Sequence, residues 1–109
     1  MPDTEEAKLV TLARGARSRV FATEGAAVRD DTGRTYSASV VVLPSLQLSA
    51  LELAVAVAVS SGAQGVEAAV VCAGSAEFDG IDALRDLAGK GIPILVVDAR
   101  GDEIARSLT

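Results

Sequence analysis

Residues 37–62 read SASVVVLPSLQLSALELAVAVAVSSG, and no other stretch constrains the chain as much. An apolar strand runs into Pro44, which has no N–H to give a sheet ladder and ends it. A helix then starts at Ser45 or Ser49 and runs to about Ser61, with Gly62 just past its end. Leu53, Ala54, Val55, Ala56, Val57, Ala58 and Val59 alternate, so local pattern alone also permits a strand. Length and flanking caps decide for a helix. Apolar all round, it must be buried on most sides. Ser49-Ala50-Leu51-Glu52 has the spacing of a capping box, which assigns Glu52, the one acid here, to a cap and not to chemistry.

The remaining elements follow from period and turn chemistry. Residues 4–19 form a helix, with Asp3 as N-cap and Glu6 at capping-box spacing. Leu9, Leu12, Ala13 and Ala16 share one apolar face, and Arg14, Arg17 and Arg19 crowd the end, where cations suit the helix dipole. Those arginines read as an anion site or as a solvated helix end, and the second is the expectation. Residues 26–29 and 35–42 form a hairpin about a turn at Asp30, Asp31, Thr32 and Gly33. The adjacent acids are expected to serve the turn and not a metal. Val66–Cys72 is apolar enough for a central strand, which makes Cys72 a buried, unreactive residue. A helix opens at Asp79 or Gly80 and runs through Leu87, with Ile81, Leu84 and Leu87 on one face. Residues 92–97 form a further strand, Asp98 ends it in a turn, and Glu103–Leu108 is expected as a short helix. The order is α-β-β-α-β-α-β, an α/β fold with a mixed sheet between helices, in one domain over residues 1–109.

Composition removes whole classes of function. The chain has 109 residues, no histidine and one cysteine, so a His/Cys zinc site cannot be assembled within it. A Ser-His-Asp or Cys-His nucleophile is excluded for the same reason. A net charge of -5 argues against nucleic acid and against an anionic membrane. Asp3, Glu5 and Glu6 stand where a signal peptide needs basic residues, no run reaches transmembrane length, and one cysteine makes no internal disulfide. The expected location is cytoplasmic. No glycine-rich phosphate loop is present.

The segments Glu24-Gly25-Ala26-Ala27-Val28, the turn ending at Gly33, Tyr36, Pro44-Ser45-Leu46 and Ala58-Val59-Ser60-Ser61-Gly62 follow one another in a familiar order. The chain resembles the small cytidine deaminases, with their V-G-A-A-L strand, D/E-G-x-x-Y hairpin, N-x-E-N-A-S segment and helix closing in A-V-S-E-G. The resemblance implies that fold over most of the chain. It also implies zinc held by one His or Cys and by two cysteines of a P-C-x-x-C motif, with a Glu as proton shuttle.

The functional residues do not carry over. Counted back from Gly62, the family's C-A-E falls on Ser49-Ala50-Leu51; counted forward from Ser45, it falls on Leu51-Glu52-Leu53. The P-C-x-x-C motif falls near Asp79-Gly80-Ile81-Asp82-Ala83, and the ribose-holding N-x-E on Val40 and Val42. The expectation is a catalytically inactive cytidine-deaminase-like protein, an interaction or scaffold module with no catalytic residue, metal or cofactor. The alternatives are a deaminase-type hydrolase completed by a partner subunit, or an enzyme or small-molecule binder of a different type with a non-standard site at Asp79, Asp82 and Asp98. A mean hydropathy of +0.37 and the all-apolar helix predict a homo-oligomer, dimer or tetramer, with an unidentified protein partner as a further expectation. The competing arrangement is a monomer whose C-terminal helix folds over that apolar face.

Overall fold

The computed structural model describes residues 4–20 and 22–109. The elements are α1 (Thr4–Arg19), β1 (Gly25–Asp30), β2 (Thr35–Ser39), β3 (Val41–Leu43), β4 (Leu46–Leu48), α2 (Ala50–Ser60), β5 (Val66–Cys72), α3 (Ile81–Ala88), β6 (Pro93–Val97) and β7 (Glu103–Leu108). Five strands make one mixed sheet in the order β2-β1-β5-β6-β7. β5 and β6 are parallel, joined through α3; the other neighbours are antiparallel. Strands β3 and β4 form a separate small hairpin.

Alternation along the central strands sorts the core into two layers. Ala26, Val28, Ala69, Val71, Ile94 and Val96 pack with Leu51, Ala54 and Ala58 of α2 and Leu84 of α3. Ala27, Val70, Cys72, Leu95 and Val97 point the other way, onto Leu9 and Ala13 of α1. Alanines on the inner faces of α1 and α2 let both helices lie close to the sheet, which is how a chain with 3 % aromatics still fills its core. Close approach is most extreme at Gly25. A Cβ there would collide with the Ala13 carbonyl oxygen and lie 2.7 Å from the Arg17 amide nitrogen.

Most expected elements are present, β5 and its buried Cys72 included. The N-cap expected at Asp3 lies outside the described residues. Two expectations are corrected. The strand expected over residues 35–42 stops at Ser39; the chain leaves the sheet at Val40 and folds back on itself as β3 and β4 about a turn at Pro44 and Ser45. Leu46–Leu48 is therefore strand, and α2 starts only after Ser49. Glu103–Leu108, expected as a helix, is strand β7, paired antiparallel with β6. Six residues are a poor isolated helix, and the unpaired edge of β6 offers them a ladder.

Candidate functional site

The N-termini of α2 and α3 meet at one place on the sheet. Gly80, at φ +115°, precedes α3, and a Cβ on it would lie 3.0 Å from both the Glu52 amide nitrogen and the Leu51 Cβ. A left-handed glycine thus lets α3 start directly beside the first turn of α2. A cleft of about 360 Å³ opens here, lined among others by Glu24, Val40, Val42, Gln47, Ser49, Glu52 and Asp79.

The hydrogen bonds at the start of α2 are closed among the chain's own groups. The Glu52 amide donates to Ser49 Oγ at 3.1 Å, and the Ser49 amide donates to Glu52 Oε1 at 2.8 Å. This is the capping box expected from the sequence. Ser49 Oγ also donates to the Asp79 carbonyl at 2.9 Å, tying α2 to the residue before Gly80. The Ala50 amide donates to Glu24 Oε1 at 2.9 Å. Sequence reasoning missed Glu24: it lies before β1, and only the fold brings its carboxylate to the positive end of α2. Substituting Ser49→Ala is expected to cost about 1 kcal/mol. Glu52→Gln, which still caps, is expected to change stability by less than about 0.5 kcal/mol. Urea denaturation checks the order; a larger loss for Glu52→Gln would overturn the capping assignment.

The acids proposed for a non-standard site are not brought together. Asp82 pairs with Arg85 at 3.2 Å. Asp98 accepts the Arg100 and Asp102 amides at 2.9 and 3.0 Å within the β6–β7 turn, and these bonds, the Asp102 amide first, hold its carboxyl below the usual range. Among the described residues no hydrogen bond or ion pair joins Asp98 to Asp79 or Asp82, and no group of three or more His, Cys, Asp or Glu could hold a metal ion.

Asp30, 2 % exposed, does turn work, as the sequence indicates. Its Oδ1 accepts the Thr32 amide and hydroxyl and the Arg34 amide at 2.7–2.9 Å, and its Oδ2 accepts the Tyr36 hydroxyl at 2.8 Å. Burial pushes its pKa up, but these donors outweigh it and bring the carboxyl from 3.8 to about 2. The same bond, with burial, raises the Tyr36 pKa. A depressed carboxyl means that the unfolded chain takes up the proton first. The stability Asp30 supplies is complete above about pH 4 and is lost as pH falls through about 2. Urea midpoints measured across that window should fall less steeply in Asp30→Asn than in the natural chain; equal slopes would contradict the assignment.

The zinc implied by the resemblance does not fit these residues. At the α2–α3 junction Ser49, Glu52 and Glu24 are each engaged in capping α2, and the other carboxylate that lines the cleft, Asp79, has no His or Cys among the lining residues to complete a zinc site with it. The one thiol, Cys72, is fully buried and belongs to the α1 side of the sheet. Its Sγ donates to the Asp98 carbonyl at 3.4 Å.

A family model described as cytidine deaminase-like matches residues 2–101. The crystal structure of cytidine deaminase from Burkholderia pseudomallei superposes with a TM-score of 0.76, covering 94 % of this chain and 90 % of that one, at 17 % identity. No curated protein sequence matches the chain. The structural likeness speaks for the fold alone: a mixed sheet flanked by helices. The family match spans nearly the whole sequence, and on that ground the chain belongs to the cytidine deaminase-like family.

Proposed function

We propose that this protein has the deaminase fold without deaminase chemistry, and that it works as an interaction or scaffold module that associates with itself. The observation that carries the reading is the closed start of α2. Where zinc ligands and a proton shuttle are expected from the family, Glu24, Ser49 and Glu52 cap the helix, and Leu51 is buried at 0 % exposure. Val40 and Val42 stand where the sugar would need polar contacts, and they line the same cleft. A hydrolytic deaminase needs an activated water and a mobile proton. The Glu24 and Glu52 carboxylates here are fixed on backbone amides instead.

Self-association has its own support. Ala56, Val57 and Val59 are exposed on α2, and Val42, Leu43 and Leu46 are exposed on the β3–β4 hairpin, whose second strand packs on α2. The segment that could have covered α2, Glu103–Leu108, is paired with β6. Burying several hundred Å² of such surface at roughly 25 cal/mol per Å² would drive association strongly. A cytoplasmic setting accords with the free thiol of Cys72, and no helix among the described residues is long and apolar enough to cross a membrane.

The test is incubation of purified protein with cytidine and with deoxycytidine, followed by ultraviolet absorbance, alongside thermal unfolding with the same nucleosides. The expected result is no conversion and no rise in Tm. Conversion that tracks with the purified chain would overturn the reading.

A further inference from the structure

A second cleft lies on the opposite face of the sheet from the α2–α3 junction. It sits between α1, Ala22 and the β6–β7 turn, has a volume of about 300 Å³, and is lined by Arg14, Arg17, Ser18, Ala22, Cys72 and Ala99. Arg14 and Arg17 are three residues apart, so they are neighbours on the helix surface. Each guanidinium is anchored through Nε to a backbone carbonyl: Arg14 to Ala99 at 3.0 Å, Arg17 to Ala22 at 3.2 Å. Arg14 also lies against Gly101, where a Cβ would come within 3.3 Å of its Cδ. Arg17 Nη1 reaches Cys72 Sγ at 3.9 Å on the buried side.

The positive charge of this cleft is not neutralised by its own lining. Acids outnumber bases by 15 to 10 in the chain. Arg29 pairs with Glu5 and Glu67, Arg85 with Asp82, and Arg106 with Glu6 and Glu103. Arg14 and Arg17 pair with no carboxylate among the described residues, and no carboxylate side chain lines their cleft. Asp98, in the same turn as Ala99, spends Oδ1 on the amides of that turn. The carbonyl end of α1 carries only about half a negative charge, against two full positive charges here.

We infer that this cleft binds a phosphate group, as free phosphate or as the phosphate of a small monoester. Two anchored guanidiniums match the charge of a phosphate dianion. With Nε already held, both terminal nitrogens of Arg14 and Nη2 of Arg17, whose Nη1 is turned to Cys72 Sγ, remain to donate to its oxygens, and the Ser18 hydroxyl supplies a further donor. The inference rests on the α1 cleft alone and does not depend on the absence of deaminase chemistry.

The experiment is an amide NMR titration of the full chain at constant ionic strength, with inorganic phosphate, glycerol 3-phosphate and acetate as probes. Inorganic phosphate should give saturable shifts at Ser18, Ala22 and Ala99, and acetate should not. Tighter binding of glycerol 3-phosphate would identify a monoester site, and equal binding a site for the free ion. Arg14→Gln, at an exposed position, should keep the folded spectrum and weaken binding by about tenfold or more. Arg19→Gln, outside the cleft, should leave the titration unchanged. The inference is overturned by an absence of saturable shifts at about 20 mM phosphate, which corresponds to less than about 2.3 kcal/mol of binding. It is equally overturned if Arg14→Gln binds as well as the natural chain, or if Arg19→Gln weakens binding as much.

Discussion

Replacing Gly25 with alanine is expected to destabilise the protein by about 3 kcal/mol or more. The added methyl has no free space. It meets the Ala13 carbonyl, the Arg17 amide nitrogen at 2.7 Å and the Arg17 Cβ at 3.0 Å. All of these belong to α1, and two are backbone atoms that no rotamer change can move. Relief requires α1 to lift from β1, which opens the layer formed by Leu9, Ala13, Ala27, Val70 and Cys72. Against a typical total of about 5–15 kcal/mol, that is a large fraction. Gly74→Ala is the matched control, because a Cβ there meets nothing within 4 Å and its φ is not positive. It should change stability by less than about 0.5 kcal/mol. Thermal unfolding of the pair checks the placement of α1; equal tolerance of the two changes would mean that α1 does not press on β1.

The second large effect concerns assembly. Light scattering coupled to size exclusion should give the natural chain a mass that is a multiple of 11.1 kDa. Val57→Glu should reduce it to a single chain while leaving the fold intact. Val57 is 37 % exposed on the outer side of α2, whereas Leu51, Ala54, Val55 and Ala58 face inward, so a carboxylate there disturbs an interface and spares the core. Desolvating an unpaired carboxylate at a subunit contact costs several kcal/mol, enough to separate the subunits. A natural chain of 11.1 kDa would remove the self-association from the account. An unchanged oligomer in Val57→Glu would move the interface to another surface, with the β3–β4 hairpin next in order.

What was legible in the sequence was the set of features decided locally. The period of Leu9, Ala13 and Ala16 marked α1, the Ser49–Glu52 spacing marked the start of α2, and the apolar run of β5 marked a central strand. What escaped depended on partners far along the chain. Val40, Val41 and Val42 look like any strand, and nothing local says that the ladder with β1 ends at Ser39. Glu103–Leu108 has no strong period, so the free edge of β6 decides its state. At the candidate site the missing zinc ligands were visible in composition alone. The role of Glu24 was not, because its carboxylate and the Ala50 amide are 26 residues apart. Likewise, the three arginines near the end of α1 look like an ordinary helix end. The distinction lies in Ala99, which arrives from 85 residues away to anchor Arg14.

Zinc content tests the account of the α2–α3 junction most directly. Tag-free protein, purified without chelator and dialysed against zinc-free buffer, would be measured by elemental analysis against protein concentration. With Ser49, Glu52 and Glu24 fixed on backbone amides and the one thiol buried on the α1 side, zinc is expected far below one equivalent per chain. One zinc per chain, retained through dialysis, would contradict it.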